Sequence, residues 1–266
     1  MEQKTIFITG AASGIGRATA RLFHQLGWFV GCCDIDTEGL QALKTELGNN
    51  SIYLPLDVRD KPTFDAAMTT FAEHTDSRLD IMFNNAGMAI GGHFDDVPFE
   101  QIRNMVDITL VGVLTGIYAA IPLLKQTENS LCFTTASSSA TFGSPGMATY
   151  AATKFAVKGL TEALSVELAR YGCRAADVLP GIIDTPLWQS KAYKAGGTEG
   201  AVPDLPKLNA ERTDAGRTIA PEEVAECVWQ AYQGDRLHWH VPPELVGRDI
   251  AQVESPEAMR DELIAQ

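Results

Sequence analysis

The stretch Thr9-Gly10-Ala11-Ala12-Ser13-Gly14-Ile15-Gly16 lies between an apolar run at residues 5–9 and a helical pattern at 15–26. Glycines at a strand-to-helix junction permit a tight turn and let a ligand approach the backbone closely. The positive end of the following helix can then bind a pyrophosphate. The spacing is G-x-x-x-G-x-G, not the commoner G-x-G-x-x-G, so a glycine-rich turn without a ligand is the alternative. The residues predicted to hold phosphate are Gly10, Ser13, Gly14, Ile15 and Gly16.

Short apolar runs alternate with longer helical patterns from Lys4 to about Val178. The strand candidates are 5–9, 28–33, 52–56, 79–84, 131–135 and 174–179, and the helix candidates are 15–26, 37–47, 61–74, 99–124 and 149–171. A further helix at 221–233 and a last strand at 237–241 follow. This alternation is typical of βαβ units with a parallel sheet covered on both faces. We predict an α/β fold, a three-layer, doubly wound, Rossmann-type sheet, in one domain that spans residues 1–266.

Composition excludes several classes of function. Hydrophobic residues make up 45% of the 266 residues and charged residues 21%, as in ordinary globular proteins. The formal charge of −13 argues against non-specific nucleic-acid binding and against a basic membrane-surface role. We see no apolar run of about eighteen residues and no signal-peptide layout, and the five cysteines have no disulfide spacing. We therefore expect a cytoplasmic protein with free thiols, without a membrane or nucleic-acid partner.

Asp34 follows the second apolar run, eighteen residues after Gly16. A carboxylate at this point can accept hydrogen bonds from both hydroxyls of an adenosine ribose, and it repels a 2′-phosphate. The sequence therefore favours NAD over NADP as the cofactor. A solvated loop acid is the alternative, and Asp36 is a near competitor for the same role.

Two further stretches follow predicted strands, at the sheet edge where open α/β sheets bind ligands. Asp57 and Val58 are candidates to bracket an adenine, although they also fit a helix-cap region. Asn85-Ala86-Gly87 follows the fourth strand, and these residues are equally usual in turns.

Tyr150 and Lys154 are four residues apart in a helical pattern, so their side chains share one helix face. A nearby cation favours the phenolate, so Lys154 is expected to lower the pKa of Tyr150 towards working pH. Such a tyrosine can serve as a general acid or base. Ser137, thirteen residues earlier, can hold the oxygen of a carbonyl or alcohol. A surface Tyr and Lys that happen to share a helix face are the alternative.

With these motifs together, the chain resembles the short-chain dehydrogenase/reductase family in its compact single-domain form. The resemblance covers roughly residues 4–190 and rests on five motifs in the family's order. They are Thr9–Gly16, Asn85-Ala86-Gly87, Ser137, Tyr150-x-x-x-Lys154 and Pro180-Gly181-Ile182-Ile183-Asp184-Thr185.

This resemblance implies a sheet of about seven strands that binds NAD(P), with Tyr150 as proton donor or acceptor. Lys154 would bind the nicotinamide ribose and Ser137 the substrate oxygen, while Thr185 would contact the nicotinamide carboxamide. In the family a basic residue at the position of Ser13 often marks NADP use, so the serine agrees with NAD.

The chain departs from the family at one active-site position. The family's asparagine usually stands in a V-N-L-x-G setting, and the matching stretch here is Ile108-Thr109-Leu110-Val111-Gly112. That asparagine is thought to order a water chain leading from the lysine. Since a hydroxyl offers fewer hydrogen bonds than an amide, Thr109 puts the proton relay in question.

The region 186–217 is irregular and long, and the resemblance places the substrate-binding loop there. Trp188 and Tyr193 are candidates for an apolar wall of the substrate pocket or for anchors of the loop. His238 and His240 share one face of the last strand, but no third ligand is spaced to complete a metal site. In the family, helices at the positions of 99–124 and 149–171 often pack against partner subunits, which implies a homodimer or homotetramer.

The sequence therefore predicts an NAD-dependent oxidoreductase that interconverts a secondary alcohol and a ketone. An NADP-dependent carbonyl reductase and a non-catalytic dinucleotide-binding regulator are the alternatives. A regulator on this scaffold would be expected to lose the Tyr150–Lys154 pair, which this chain keeps. The substrate would be a small molecule, and no metal is required.

Overall fold

The computed structural model describes residues 3–189, 191–194, 197–201 and 217–265. The strands are β1 (Thr5–Thr9), β2 (Phe29–Asp34), β3 (Ser51–Pro55), β4 (Ile81–Asn84), β5 (Leu131–Thr135), β6 (Arg174–Pro180), β7 (Ile182–Ile183), β8 (Lys191–Lys194), β9 (Thr198–Ala201), β10 (Thr218–Ile219) and β11 (His238–Val241). Seven of them form a parallel sheet in the order β11-β6-β5-β4-β1-β2-β3. This order, which reverses beside β1, confirms the predicted doubly wound α/β fold.

Helices cover both faces of this sheet. They are α1 (Gly14–Gln25), α2 (Thr37–Leu47), α3 (Lys61–His74), α4 (Phe99–Val106), α5 (Gly112–Leu124), α6 (Ala148–Glu167), α7 (Pro221–Gln233), α8 (Leu245–Glu254) and α9 (Pro256–Ala265). The predicted helix at 99–124 is thus interrupted, because a π-helical segment, Asp107–Val111, joins α4 to α5.

The core lies in two layers, one on each side of the sheet. Successive residues of β1 alternate between them: Ile6 and Ile8 pack with α1 and α7, whereas Phe7 packs with α3 and α5. All five residues of β1 are buried, as expected for a central strand covered on both faces. The five cysteines are free and buried. Burial raises the pKa of the Cys227 thiol to about 12, so this thiol is protonated at neutral pH.

A buried ion cluster fixes the amino end of the sheet. Asp80 is fully buried, and its carboxylate accepts hydrogen bonds from Arg78 at 2.7 Å, Lys4 at 2.9 Å and the Thr5 N–H at 3.0 Å. The Tyr232 hydroxyl donates a further bond at 3.0 Å. Burial alone would raise the pKa of Asp80, but the bonds from Arg78 and Lys4 outweigh it and hold the pKa below its usual range.

The helical stretch Phe99–Leu124 corrects one expectation from the sequence. At 26 residues and a mean hydropathy of 1.8 it is long and apolar enough to cross a membrane by length and composition. Its apolar character has a local explanation, since Val113, Ile117, Ala120 and Leu124 pack into the core beneath the sheet. One face of the stretch therefore packs into the core, whereas Leu114 and Tyr118 are exposed.

Candidate active site

A cleft of about 420 Å³ opens at the carboxyl ends of the central strands. Most of the residues predicted for the site line it together: Gly10, Ser13, Gly14, Ile15, Asp34, Asp57, Val58, Asn85, Ala86, Gly87, Tyr150, Lys154 and Thr185. Gly16 and Ser137 are not among the lining residues. The sequence analysis missed other lining side chains, which are Ile35, Leu56, Arg59, Met88, Ile108, Thr135, Pro186 and Leu187.

The glycine-rich turn positions the start of α1 against the cleft. Gly10 and Gly14 have φ values of +70° and +49°, a left-handed backbone that favours glycine. Gly16 acts through packing, because a Cβ at this position would lie 2.0 Å from the Gly10 carbonyl oxygen. Across α1, which is described throughout, the Ser13 side chain makes no cap hydrogen bond and the first turn holds no acidic residue. The first N–H groups of α1 are therefore available to an anion.

Asp34 is held at the end of β2 by two backbone bonds. Its Oδ2 accepts from the Ala12 N–H and its Oδ1 from the Asp36 N–H, both at 2.9 Å. Each carboxylate oxygen keeps a second lone pair for another donor. Asp36 caps α2 instead, where it accepts from the Gly39 N–H at 3.0 Å. The carboxylate presented to the cleft is thus that of Asp34.

Asp57 forms an ion pair that its sequence position alone did not indicate. Arg59 Nε donates to Asp57 Oδ1 at 2.9 Å, and Arg59 Nη1 donates to Asn104 Oδ1 at 2.8 Å. The hydrogen bonds from Arg59 lower the pKa of Asp57. The signal in the sequence for this ion pair was that Asp57 and Arg59, with opposite charges, stand two residues apart just after a strand. Val58 is buried beside them and lies against Gly112.

Asn85 ties three strand ends together under the floor of the cleft. Its Nδ2 donates to the Thr9 carbonyl at 3.1 Å, and its Oδ1 accepts from the Thr135 hydroxyl at 3.1 Å. The Thr9 hydroxyl in turn accepts from the N–H groups of Asn85 and Ala86. These bonds give Asn85 a structural role at the edge of the site.

Tyr150 and Lys154 lie one turn apart on α6, and both are buried. Lys154 Nζ donates to the Thr135 carbonyl at 2.7 Å and lies 5.5 Å from the centroid of the Tyr150 ring. Ser137 is buried just beyond β5, where its Oγ accepts from the Ser139 N–H at 3.1 Å. The Ser137 side chain is close enough to the Tyr150 hydroxyl to act on its pKa. The three side chains predicted as catalytic therefore form one buried group.

The pKa values of this group correct the expectation from the sequence. Burial raises the pKa of Tyr150 to about 12, although the Ser137 side chain acts to lower it. Burial lowers the pKa of Lys154 to about 8. The cost of desolvating a buried phenolate thus outweighs the help from the Ser137 hydroxyl.

Thr109 occupies the π-helical segment and is fully buried. Its hydroxyl donates to the Met88 carbonyl at 3.3 Å and accepts from the Met88 N–H at 3.4 Å. It therefore fixes the backbone that follows the Asn85-Ala86-Gly87 turn. π-Helical segments of this kind are frequent at functional sites.

The two histidines of β11 bond to carboxylates. His238 Nδ1 lies 2.8 Å from Asp177 Oδ1, and His240 Nε2 lies 3.2 Å from Asp249 Oδ2. Within the described parts of the chain, no three His, Cys, Asp or Glu side chains are grouped as metal ligands would be. Of the predicted substrate loop, residues 190, 195–196 and 202–216 and the side chain of Trp188 lie outside the described residues. Tyr193 is described and is buried near Tyr150.

A doubly wound sheet with an open helix N-terminus, a carboxylate lining the cleft at the end of β2 and a buried Tyr–Lys pair is typical of an oxidoreductase that uses a nicotinamide dinucleotide. Comparison with known sequences agrees with this class. The family model described as short chain dehydrogenase matches residues 4–195. The oxidoreductase UcpA of Salmonella typhimurium is 35% identical over 229 residues, which cover 84% of this chain and 85% of that protein. The chain belongs to the short-chain dehydrogenase/reductase family and is an enzyme that acts on CH–OH groups with NAD or NADP.

Solved structures of relatives share the fold. A short-chain dehydrogenase/reductase from Burkholderia phymatum, in complex with NAD, has a TM-score of 0.82 and 25% identity, and the match covers 97% of this chain and 95% of that one. The 3-ketoacyl-(acyl-carrier-protein) reductase from Brucella melitensis, complexed with NADH, has a TM-score of 0.77 and 26% identity, with coverage of 90% and 97%.

Proposed function

We propose that this protein is an NAD-dependent dehydrogenase that interconverts a secondary alcohol and a ketone, with Tyr150 as the general acid and base. One observation carries the proposal: the buried Tyr150 and Lys154 form the wall of the same cleft that Asp34 and the glycine-rich turn line. A chance surface pair would not be buried in this position. The proposed oxidation gives the ketone and NADH, and the reduction runs in reverse.

The residues of the cleft suit a dinucleotide. The uncapped first turn of α1 supplies N–H donors for a pyrophosphate, with Gly10 and Gly14 allowing close approach. Thr185 lies directly above this turn, since a Cβ at Gly14 would meet its Cγ2 at 2.9 Å. Val58 and the Asp57–Arg59 pair are placed to bracket the adenine.

Asp34 supports NAD over NADP. Its carboxylate is fixed by two backbone bonds and lines the cleft at the end of β2. It can accept bonds from both ribose hydroxyls, whereas a 2′-phosphate would bring a second negative charge beside it. An NADP-dependent carbonyl reductase is the competing assignment, and a measured preference for NADP would support it.

The bound nicotinamide would accept or supply the hydride. During alcohol oxidation the Tyr150 phenolate takes the hydroxyl proton, and during ketone reduction the Tyr150 phenol returns it. Ser137, whose side chain acts on the pKa of Tyr150, holds the substrate oxygen beside the phenol. Lys154, anchored on the Thr135 carbonyl, stabilises the phenolate when Lys154 is charged, and it would donate to the nicotinamide ribose of a bound cofactor. Because burial raises the pKa of Tyr150, the positive charge of an oxidised nicotinamide would help to bring this pKa down.

We further propose that the enzyme is a cytoplasmic homodimer or homotetramer. Large apolar side chains are exposed on neighbouring helices, namely Leu114 and Tyr118 on α5 and Phe155 and Val166 on α6. Such a surface is typical of a subunit contact. Light scattering coupled to size-exclusion chromatography would contradict this proposal if it gave the 28.7 kDa mass of one chain at micromolar concentration.

Two measurements test the catalytic proposal. NADH fluorescence is titrated with the protein, and secondary alcohols are then screened for NAD reduction at alkaline pH. We expect both binding and turnover. Binding without turnover of any alcohol would instead favour a dinucleotide-binding regulator, and the absence of NADH binding would reject both readings.

A further inference from the structure

We infer that the substrate is an uncharged, largely apolar secondary alcohol or ketone, and that Tyr193 forms the wall that selects it. This inference deepens the proposed function and rests on it. It excludes sugars and phosphorylated or otherwise charged carbonyl compounds as preferred substrates.

Tyr150 belongs to a cluster of apolar side chains. Ala89, Ile90, Met105 and Tyr193 are buried in one cluster with Tyr150, and four more side chains pack against it. These four are Met88, Val97, Met147 and Leu187. Among these described members none carries a charge, and three of the chain's seven methionines are here. The substituents of a substrate carbon bound next to the Tyr150 hydroxyl would therefore contact hydrocarbon and thioether side chains of the protein.

Met88 and Leu187 connect this cluster to the cofactor cleft, because both line that cleft as well. Met147 lies one turn before Tyr150, at the N-terminal end of α6. The apolar cluster, which includes Tyr150, is thus continuous with the cleft.

Tyr193 reaches the cluster from a hairpin outside the central sheet. Strands β8 and β9 pair with each other, and Ala192 forms an isolated parallel bridge with Gly91. The Tyr193 N–H donates to the Gly91 carbonyl at 2.9 Å. Gly92 has a φ of +140°, and a Cβ there would lie 2.8 Å from the Tyr193 carbonyl oxygen. Glycine at this position therefore lets the hairpin lie directly on the segment that follows Ile90.

Four members of the cluster, Ile90, Val97, Met105 and Met147, line a small cavity. This cavity holds about 10 Å³, close to the volume that one water needs, and Thr149 supplies its single polar side chain. A substrate group that extends into this cluster would displace contacts between its apolar side chains, and methionines adapt readily to such exchange. An apolar group would replace these contacts, whereas each hydroxyl buried without a partner would reduce kcat/KM by roughly tenfold or more.

The test is a homologous series of 2-alkanols from 2-butanol to 2-octanol, assayed with NAD beside polyols such as sorbitol. We expect kcat/KM to rise by about fourfold for each methylene until the pocket is filled, as apolar burial predicts. Polyols should be poorer than the best 2-alkanol by about a hundredfold or more. A flat series would overturn the inference.

Variants of Tyr193 test whether this side chain determines the dependence on alcohol chain length. Tyr193→Phe should keep the dependence on chain length, whereas Tyr193→Ser should remove most of it, mainly through a higher KM for the longer alcohols. Tyr171→Ser is the matched control, because Tyr171 is partly exposed at the end of α6, and it should leave the series unchanged. NADH binding checks that each variant is folded. A Tyr193→Ser series identical to that of the parent would overturn the role of Tyr193.

The outcomes separate this inference from the proposed function. If polyols are oxidised better than 2-alkanols and Tyr150→Phe abolishes that activity, the apolar substrate class is wrong and the dehydrogenase proposal stands. If no alcohol is oxidised although NADH binds, the dehydrogenase proposal fails, and the substrate inference fails with it.

Discussion

Replacing Asp34 by asparagine should move the cofactor preference towards NADP. The substitution keeps the size of the side chain and one oxygen that can accept from Ala12 N–H or Asp36 N–H, but it removes the negative charge. Two unit charges 4 Å apart near a protein surface repel by about 4 kcal/mol, which corresponds to roughly a thousandfold in binding. Screening by salt reduces this value, so we expect the ratio of NADH to NADPH affinity to fall by about 10- to 1000-fold.

The assay is fluorescence titration of NADH and NADPH with the parent and variant proteins at low and at physiological salt. The shift should be smaller at the higher salt, because the repulsion is electrostatic. Asp36→Asn is the matched control: Asp36 caps α2, and asparagine keeps the cap. An unchanged ratio in Asp34→Asn, or a larger shift in Asp36→Asn, would refute the assignment.

Three further predictions follow from the core and the site. Because burial raises the pKa of Tyr150 to about 12, the phenolate fraction grows with pH, whereas Lys154, with its pKa lowered to about 8, loses its supporting charge above that pH; alcohol oxidation should therefore become faster from pH 7 to about 8, and a pH–rate profile that falls over this range would contradict this. Gly16→Ala would place a Cβ 2.0 Å from the Gly10 carbonyl oxygen and should cost about 3 kcal/mol or more in urea unfolding, whereas Gly159→Ala, with no described atom within 4 Å, should cost nothing. Asp80→Asn removes a buried carboxylate that pairs with Lys4 and Arg78, whose side chains are 40% and 21% exposed, and should lower the free energy of unfolding by about 1–3 kcal/mol; in the parent this stability is present above the unfolded pKa of about 3.9 and is lost as pH falls through the depressed pKa of Asp80, which acid titration of unfolding measures.

The regular part of the fold was predictable because its signals are local. The strand at Thr5–Thr9 and the helix that begins at Gly14 are bounded by an apolar run and a glycine-rich turn, and both occur where the sequence predicted them. The family and the oxidoreductase class also followed from motif spacing, and the comparisons confirm them.

The features that the sequence did not predict depend on distant contacts. The π-helical segment at Asp107–Val111 has no separate periodicity, since an apolar pattern continues through Phe99–Leu124. The sequence around Tyr193 has no clear strand pattern, so the hairpin was not predicted. The hairpin depends on its backbone lying close to Gly92, which a side chain at that position would prevent. The sign of the pKa shift at Tyr150 required its burial, which helical spacing from Lys154 cannot reveal.

The motif predicted that Ser137 is catalytic, but it did not predict where the side chain lies. Its hydroxyl does not line the cleft but lies near Tyr150 within the buried group. The motifs did not predict the substrate class either. The apolar cluster from which we infer it is formed by residues that are distant in sequence, from 88 to 193.

The kinetics of Tyr150→Phe test the central claim most directly. The substitution removes one hydroxyl and keeps the buried ring, so NADH should bind within about twofold of the parent, while kcat for a secondary alcohol should fall by about 10²- to 10⁴-fold. Tyr171→Phe, at a tyrosine outside the cleft, should change neither quantity. A Tyr150→Phe enzyme that kept more than about a tenth of the parent kcat would contradict the assignment of Tyr150 as the proton donor and acceptor.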